Sequence, residues 1–486
     1  MYYKKALLFG IIFASSLFAE NSTLKHTIKS NGQQIYFNKQ KNVNSFTDMF
    51  REGAFYGRFR NNNFYFAYNH PDSTHETQLV GAVGASLIYK SASLKGFDFT
   101  LGLYGSKSFF DKGKLDSISH LKSSKDTLSR YNYANGGSTS LFVFGQANIK
   151  YRYSKTDFIF GRQLVETFYT KSNDTKMIPN SFDGFVVSSK DLPNSTLKLA
   201  YLTKQKLRDH KDSHALFMVG DANSTSGVNH PEWSENDDSA MHKGLTYSAL
   251  RAAGKPTDAA LLVLDVENKS IENMKINFSS YLVPELLSQM MGEVNYKIAF
   301  DSFSITPAFR YLQQFDKGAG SVGGASTNLS GLAGYKDANS LDSKMVAAKI
   351  VTKIDDYKLN LAYTHVLNKS DLVNPWRGFP TSGYTRSMGM YNWRANMKSY
   401  RLELVYNANK NAVYKKPFLQ TSILYMDGDQ SKNETDSMFY YAGIVQNIPS
   451  MPEFQYRVRF GYRDFIGASS STSDYIDSRL EFNYLF

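Results

Sequence analysis

The segment EFQYRVRFGYRD, at residues 453–464, places three arginines among aromatic and aliphatic residues. Successive side chains of an extended strand point to opposite faces. Arg457, Arg459 and Arg463 would therefore share one face with Gly461, and the other face would be apolar. Apolar residues two positions apart do not form a stripe on a helix, so the pattern predicts a strand. A row of guanidinium groups on such a strand would attract anions.

The same period of two recurs along the chain. Polar and mostly apolar side chains alternate in QANIKYRY at 146–153, SITPAFRYL at 304–312 and YRLELVY at 400–406. Near the N-terminus, AFYGRFR places Arg58 and Arg60 on one parity and phenylalanines on the other. The chain therefore reads as a series of strands, each with one apolar and one polar face.

Polar stretches of unequal length separate these strands. They are short near Lys155 and Lys410 and long at 210–243 and 316–341. Short turns at one rim and long loops at the other are typical of a transmembrane β-barrel. The chain ends in YIDSRLEFNYLF, with aromatic and aliphatic residues at alternate positions and a final Phe486. This ending is similar to the closing strand of bacterial outer-membrane barrels.

The first nineteen residues place two lysines before an apolar run that is short for a membrane helix. This is the form of a secretory signal peptide, predicted at 1–19. The segment 20–52 would then lead into a barrel over 53–486. The chain is therefore predicted to be exported.

Composition favours a barrel over a soluble β-sandwich. Aromatic residues make up 15% of the chain, with 33 Tyr and 35 Phe, yet the mean hydropathy is negative. A barrel spreads aromatic residues among polar ones because lipid-facing and lumen-facing positions alternate. A sandwich with one wet face obeys the same parity. In a barrel, an arginine facing lipid costs roughly 2–4 kcal/mol, so the arginine faces must point into the lumen.

The formal net charge of +12 admits nucleic acid, anionic lipid or acidic small molecules as partners. Nucleic acid is not expected for an exported chain without a dense basic block. The absence of cysteine excludes disulfides and thiolate metal sites. His210 and His214 have helical metal spacing, but they lie in a polar segment that we expect to be a solvated loop. We therefore expect no metal and no cofactor.

Two segments carry a family resemblance. FGRQLVETFYTKSNDTKMIPNSFDGF begins at Phe160, and NPWRGFPTSGYT surrounds Trp376. The first contains Asn-Asp-x-basic-Met-x-Pro-x-x-Phe-x-Gly and resembles the OprD family of outer-membrane porins. Lys176 stands where that family usually has arginine, which keeps the charge but loses the bidentate fork.

The resemblance implies an all-β, 18-stranded antiparallel transmembrane barrel whose inward-folded loops narrow the pore. It also implies a basic ladder along the pore that guides carboxylate-bearing solutes. The ladder candidates are Arg58, Arg60, Arg152, Arg162, Arg310, Arg401, Arg457, Arg459 and Arg463. The candidates in constricting loops are Asn173, Asp174, Lys176 and Phe182 in a first loop, and Tyr335, Asp337 and Asp342 in a second loop between Phe315 and Ser343. For any one arginine, a salt bridge that holds the wall is the competing interpretation.

The sequence therefore predicts an outer-membrane porin for passive diffusion of amino acids, small peptides or organic acids. Expected partners are these solutes, outer-membrane lipid and lipopolysaccharide, and the barrel assembly machinery, with the barrel a monomer or a homotrimer. The alternative is a barrel that acts mainly as an adhesin through its long loops. An enzyme is not expected because no Gly-x-Ser-x-Gly motif is present.

Overall fold

The structure is a computed structural model. It describes residues 26–30, 32–37, 39–71, 77–112, 127–221, 233, 241–328, 331–409, 413–467 and 474–486. The predicted signal peptide at 1–19 lies outside these residues. None of the helices in the described ranges is long and apolar enough to cross a membrane.

Within the described ranges, eighteen strands of eight residues or more close into an antiparallel barrel, as predicted. They are β1 Ala54–Tyr68, β2 Gln78–Lys90, β3 Phe97–Lys112, β4 Ser140–Tyr153, β5 Thr156–Gln163, β6 Ser181–Ser189, β7 Ser195–Lys206, β8 Leu261–Asn268, β9 Met274–Val283, β10 Leu287–Tyr296, β11 Ser304–Asp316, β12 Ser343–Ile354, β13 Tyr357–Val366, β14 Lys398–Asn407, β15 Phe418–Asp427, β16 Ser437–Ile448, β17 Met451–Phe465 and β18 Tyr475–Leu485. Three two-residue strands extend the sheet, at Asn42–Val43, Ser93–Leu94 and Ile298–Ala299.

Each strand pairs with the next along the chain, and β18 pairs with β1 to close the wall. The connections at one rim are short, as at 154–155 and 355–356, whereas the other rim carries 207–260, 317–342 and 367–397. In transmembrane barrels the short turns are periplasmic and the long loops extracellular. The predicted division between turns and loops is confirmed.

The alternation of side chains matches the predicted parity. On β17, Gln455, Arg457 and Gly461 are buried, whereas Val458 and Phe460 are exposed on the outside. The other strands follow the same rule, with apolar side chains outward and inward side chains buried in the lumen. The outer surface is therefore an apolar band of the kind that contacts lipid.

Much of one side of the lumen is filled by packed side chains. Inward-facing residues of β8 to β13, such as Leu261 and Leu312, pack against long loops that fold into the barrel. Trp376, from the loop at 367–397, is fully buried there, and its indole N–H donates to the carbonyl oxygen of Leu216 at 2.7 Å. We call this cluster the lumenal core. Its largest members include Tyr169, Phe182, Leu216, Phe217, Leu245, Leu250, Leu261, Tyr281, Leu312, Met345, Trp376 and Tyr384.

Short helices lie outside the wall strands. They span Phe46–Arg51, Arg130–Gly136, Tyr247–Ala252 and Ala319–Gly323, with a 3₁₀ turn at Gln430–Lys432. Ser45, Ser129 and Thr246 cap the first three, each through a side-chain oxygen that accepts from a backbone N–H of the first turn.

The segment before β1 forms a hairpin of two short strands, His26–Ile28 and Gln34–Tyr36. The prediction of a solvated loop around His210 and His214 is wrong. Both side chains are buried, and their rings lie 4.6 Å apart.

Candidate functional site: a basic chamber in the barrel

The first inward loop, residues 164–180, leaves the wall after β5 and returns at β6. Its Asp174 carboxylate lies between Arg58 and Arg60 of β1. Arg60 Nη1 donates to Asp174 Oδ1 at 2.7 Å, and Arg58 Nη2 donates to the other carboxylate oxygen. All three side chains are almost completely buried. Arg58 and Arg60 therefore anchor this loop, which corrects their assignment to an open basic ladder.

Further hydrogen bonds fix the same loop. Asn62 of β1 donates through Nδ2 to the carbonyl oxygen of Lys176 at 2.6 Å. At the end of the loop, Asn180 Nδ2 donates to the carbonyl oxygen of Lys171 at 3.1 Å, and Asn180 Oδ1 accepts from Gln205 of β7 at 3.1 Å. Both edges of the loop are therefore held by the wall.

The second inward loop, residues 367–397, meets the first across the lumen. Lys171 N donates to the carbonyl oxygen of Trp376, and Gly378 N donates to that of Tyr169, each at 3.0 Å. A Cβ at Gly378 would lie 2.1 Å from the carbonyl oxygen of Phe168, so only glycine permits this approach. The two loops form one backbone bridge that divides the lumen.

The predicted second constricting loop lies between Phe315 and Ser343, and its described residues pack against the second inward loop. Tyr335 donates its hydroxyl to Asp371 Oδ1 at 2.8 Å. Asp337 and Asp342 are exposed and accept from nearby backbone N–H groups. None of the three lines the cavity next to the bridge.

That cavity, which we call the basic chamber, has a volume of about 670 Å³. It lies between the two inward loops and the wall formed by β14 to β18 and β1. Its size is that of a small-molecule site, typically about 300–1,000 Å³. Its charged lining consists of Lys176, Arg208, Arg377, Arg386, Arg401, Arg459, Arg463, Asp477 and Arg479.

The chamber carries a large excess of positive charge. Eight cationic side chains line it, and Asp477 is the single carboxylate on its described surface. Two more carboxylates stand beside it, Glu403 paired with Arg401 and Glu481 paired with Arg459. Among the described residues, these three carboxylates stand against eight cations. The arrangement attracts anions, while the carboxylates limit how tightly it can hold them.

Arg386 is held by aromatic rings. Its guanidinium carbon lies 4.4 Å from the ring centre of Phe379, 5.4 Å from that of Tyr391 and 5.7 Å from that of Trp393. Burial lowers the pKa of Arg386 to about 10, so the side chain remains charged at neutral pH. Cation–π contacts of this kind orient a guanidinium without neutralising it.

Arg463 is also held without a carboxylate. It donates from Nε and Nη2 to Ser437 Oγ, at 3.3 and 3.1 Å, and its guanidinium lies 4.1 Å from the ring centre of Phe465. Among the described residues it makes no ion pair. Arg386 and Arg463 thus present full positive charge to the chamber.

The nine ladder candidates separate into distinct groups. Arg401, Arg459 and Arg463 line the basic chamber. Arg457 is buried, and its Nη1 donates to the carbonyl oxygen of Ser30 at 3.2 Å. These four share the inward parity that the sequence predicted.

Arg310 contacts the second inward loop, under which it lies. It donates to Glu293 at 2.8 Å and to the carbonyl oxygens of Pro380 and Ser382 at 2.7 and 2.9 Å. Its guanidinium also faces the ring of Tyr384. Arg310 is therefore a second loop anchor, not a member of the basic chamber.

Two candidates lie at the edges of the barrel. Arg152 lies at the rim of short turns, is 55% exposed and forms a two-pronged ion pair with Asp157 at 2.5 and 2.7 Å. Arg162 shares its parity with the exposed Phe160 and points away from the lumen, where it binds Asp183 at 2.6 Å. Its placement corrects the pore-lining assignment, because the strand keeps the parity that turns Arg162 outward.

The candidates of the first loop also differ from one another. Asn173 and Lys176 line the basic chamber, and Lys176 Nζ lies 4.3 Å from the ring centre of Phe64. Asp174 points to the wall instead. Phe182 belongs to β6 and is fully buried in the lumenal core, so its assignment to the constricting loop is wrong.

Four cationic residues of the chamber were missed by sequence reasoning: Arg208, Arg377, Arg386 and Arg479. Arg479 shares the inward parity of the last strand, and Arg377 lies within NPWRGFPTSGYT, so both carried a usable signal. Arg208 and Arg386 lie in irregular segments, where no periodicity indicates direction. Within the described ranges, no three His, Asp or Glu side chains are grouped as metal ligands.

A second cavity, of about 500 Å³, lies on the other side of the bridge and shares no lining residue with the basic chamber. Its charges are mixed. Lys171, Lys198 and Arg310 face Asp265 and Glu293. The bridge therefore separates a strongly basic compartment from a nearly balanced one.

Comparisons with known proteins agree with this architecture. The family described as "outer membrane porin, OprD family" matches residues 57–462. No curated protein matches the sequence. Among solved structures, Pseudomonas aeruginosa OccK9 (OpdG) matches with a TM-score of 0.67 and 15% identity, over 90% of this chain and 99% of that one.

Two further structures are similar. Acinetobacter baumannii OccAB1 has a TM-score of 0.66 and 14% identity, over 90% of this chain and 97% of its own. Pseudomonas aeruginosa OpdK, solved with vanillate, has a TM-score of 0.63 and 14% identity, over 89% of this chain and 98% of its own. At such identities the likeness shows the shared barrel fold. The family match over most of the chain shows its membership, and the protein belongs to the OprD family of bacterial outer-membrane porins.

Proposed function

We propose that this porin lets small carboxylate-bearing solutes diffuse passively across the outer membrane by way of the basic chamber. Amino acids, small peptides and organic acids are the candidate classes. The observation that carries the proposal is the charge of the chamber, where eight cations face one lining carboxylate within the part of the chain that the structure describes. The apolar outer surface would contact lipid and lipopolysaccharide.

The charge excess ranks the solute classes. A cation in a wet, intermediate dielectric attracts a nearby anion by about 1–4 kcal/mol. A solute with two carboxylates is attracted by more of these cations than a zwitterion is, because the ammonium group of a zwitterion is repelled by them. We therefore expect organic acids to bind more tightly than neutral amino acids. Neutral sugars would gain nothing from this field.

The aromatic rings around Arg386 support a further preference. Phe379, Tyr391 and Trp393 form an apolar wall beside the charged group, and Phe379 and Tyr391 also line the chamber. An aromatic carboxylate would place its acid on arginine and its ring on this wall. The structure of OpdK with vanillate, itself an aromatic carboxylate, supports such a solute by analogy.

The test is single-channel recording of the refolded barrel in a planar bilayer under a salt gradient. The wild type should prefer anions. Arg386→Gln and Arg463→Gln, alone and together, should move the reversal potential toward zero. Each single substitution should also weaken block by benzoate by roughly fivefold, which corresponds to a loss of about 1 kcal/mol. The matched control is Arg162→Gln, which removes an arginine on the outside and should leave both quantities unchanged.

A cation-selective or unselective wild-type channel would contradict the basic chamber as the selective element. A correctly folded barrel that conducts no ions would contradict the channel itself and favour the adhesin alternative. The loops at 207–260 and 367–397 argue against that alternative, because residues of both are packed inside the lumenal core.

A further inference from the structure

The hairpin formed by the strands His26–Ile28 and Gln34–Tyr36, with Gly32 near its tip, lies inside the barrel, and we call it the lumenal hairpin. Its contacts are with side chains on the inward parity of the wall. Ser86 of β2 donates to Gln34 Oε1 at 3.0 Å, and the rings of Tyr36 and Tyr56 stack with centres 4.7 Å apart. Arg457 of β17 donates to the carbonyl oxygen of Ser30 at 3.2 Å.

The tip of the hairpin touches the first inward loop. A Cβ at Gly32 would lie 1.8 Å from the carbonyl oxygen of Asp174, and the φ of Gly32 is +82°. Both the close approach and the left-handed backbone require glycine at this position. The tip is therefore fitted to the loop and does not merely lie near it.

One guanidinium joins the hairpin, the wall and the loop. Arg58 Nη1 donates to the carbonyl oxygen of Gly32 at 2.8 Å, while its Nη2 donates to the Asp174 carboxylate. The Arg58 side chain is only 1% exposed, so water does not compete for these bonds. Since Asn173 and Lys176 on either side of Asp174 line the basic chamber, the position of Asp174 sets the position of that lining.

We propose that the lumenal hairpin is a positioning element for the porin, a strut that holds the first inward loop and thereby sets the width and selectivity of the basic chamber. The hairpin does not line the chamber, so it acts through Arg58 and Asp174. In its absence the wall arginines would remain, but the loop would lose its support on the side of the short turns.

The test replaces residues 26–36 with a Gly/Ser segment of equal length in the full chain and records single channels under a salt gradient. We expect roughly a twofold or larger rise in conductance, noisier open states and a weaker anion preference, because the loop lining moves away from the opposite wall. A synthetic peptide of residues 26–37, HTIKSNGQQIYF, added on the short-turn side, should restore the smaller conductance. The same peptide with Gly32→Ala should not.

A milder variant covers the case in which the replaced chain does not fold. Gly32→Ala should produce the same changes in conductance and noise. Its matched control is Gly254→Ala, which carries a similar left-handed φ of +63° but has open space around it. Equal behaviour of Gly32→Ala, Gly254→Ala and the wild type would overturn the strut, as would a replaced hairpin with unchanged conductance, noise and reversal potential. Neither result would alter the proposed function of the chamber.

Discussion

The two sides of this lumen differ although one sequence pattern builds both. Along β8 to β13 many inward residues, such as Leu261 and Leu312, are apolar and buried under the inward loops, and the charged ones, such as Glu293 and Arg310, line the nearly balanced second cavity. Along β14 to β18 the inward residues, such as Arg401 and Arg459, are charged and line a cavity. The alternation with a period of two predicts which side chains point inward, but it does not predict whether those side chains contact water or packed loops. The apolar share and the balance of charge on the inward face distinguish the two.

The difference also separates stability from selectivity. The first side carries the packing that holds the inward loops in place, and the second side carries the excess of positive charge. A mutation on the first side should therefore change folding and pore size together. A mutation of an unpaired arginine on the second side should change selectivity alone.

The largest expected effect comes from Trp376→Ala on the first side. Trp376 is fully buried, packs edge-to-face on Tyr281 with ring centres 4.8 Å apart and donates to Leu216. We expect a loss of about 3–5 kcal/mol in the free energy of unfolding, the usual range for a buried Trp or Phe cut to alanine. Urea unfolding in lipid vesicles measures it. A change below 1 kcal/mol would mean that the lumenal core is not tightly packed.

Asp174→Asn should cause the next largest loss in the free energy of unfolding. Removing one partner of a buried ion pair typically costs roughly 3–5 kcal/mol, and we expect a loss near the lower end of that range. The variant leaves Arg58 and Arg60 buried without a carboxylate, although the amide keeps some hydrogen bonds. Arg152→Ala is the matched control, since its ion pair with Asp157 is exposed and worth about 0–1 kcal/mol. Similar losses in both variants would show that burial does not strengthen the anchor.

The smallest expected effect is a pH dependence from His242 in the loop at 207–260. Its Nε2 lies 2.8 Å from the carbonyl oxygen of Gly324, and its Nδ1 accepts from Gly244 N at 3.1 Å, so both ring nitrogens suit a neutral imidazole. Burial lowers its pKa in the folded protein. The unfolded chain then binds the proton more readily, so this contribution is complete above the ordinary pKa of about 6.5 and is lost as the pH falls through the folded pKa.

Acidification from neutral pH should therefore lower the free energy of unfolding, by less than about 1.4 kcal/mol per pH unit for this one group. His242→Gln, which retains a donor and an acceptor, should reduce that slope. Unfolding curves at several pH values provide the measurement. A slope unchanged by the substitution would assign the pH dependence to other groups.

The barrel itself could be predicted from the sequence because alternation is local. The parity of β17 and β18, the short turns and the long loops all follow from patterns within a few residues. The outward direction of the Arg162 side chain could also be predicted from the sequence, since Arg162 shares the parity of Phe160. The contacts of each inward arginine could not be predicted from the sequence. Asp174 meets Arg58 and Arg60 only because the loop folds so that residues more than a hundred positions apart come together.

The loops were less predictable for the same reason. The second inward loop has no period, and its place in the lumen depends on the backbone bridge between Gly378 and Tyr169. The motif NPWRGFPTSGYT marked this loop as unusual, but only the structure shows Arg377 and Arg386 beside the chamber. Only three of the nine ladder candidates line the basic chamber, because loop packing as well as strand order decides which cations share a cavity.

The lumenal hairpin has a consequence for how the barrel is assembled. The wall closes where β1 pairs with β18, from Tyr68 opposite Tyr475 to Arg58 opposite Leu485. The hairpin is bonded to Arg58 on one side of that seam and to Arg457 on the other. In the closed barrel both bonds are present together, so the hairpin links strands on the two sides of the seam. The hairpin is therefore an internal clasp across the seam, and barrel closure completes the interior as well as the wall.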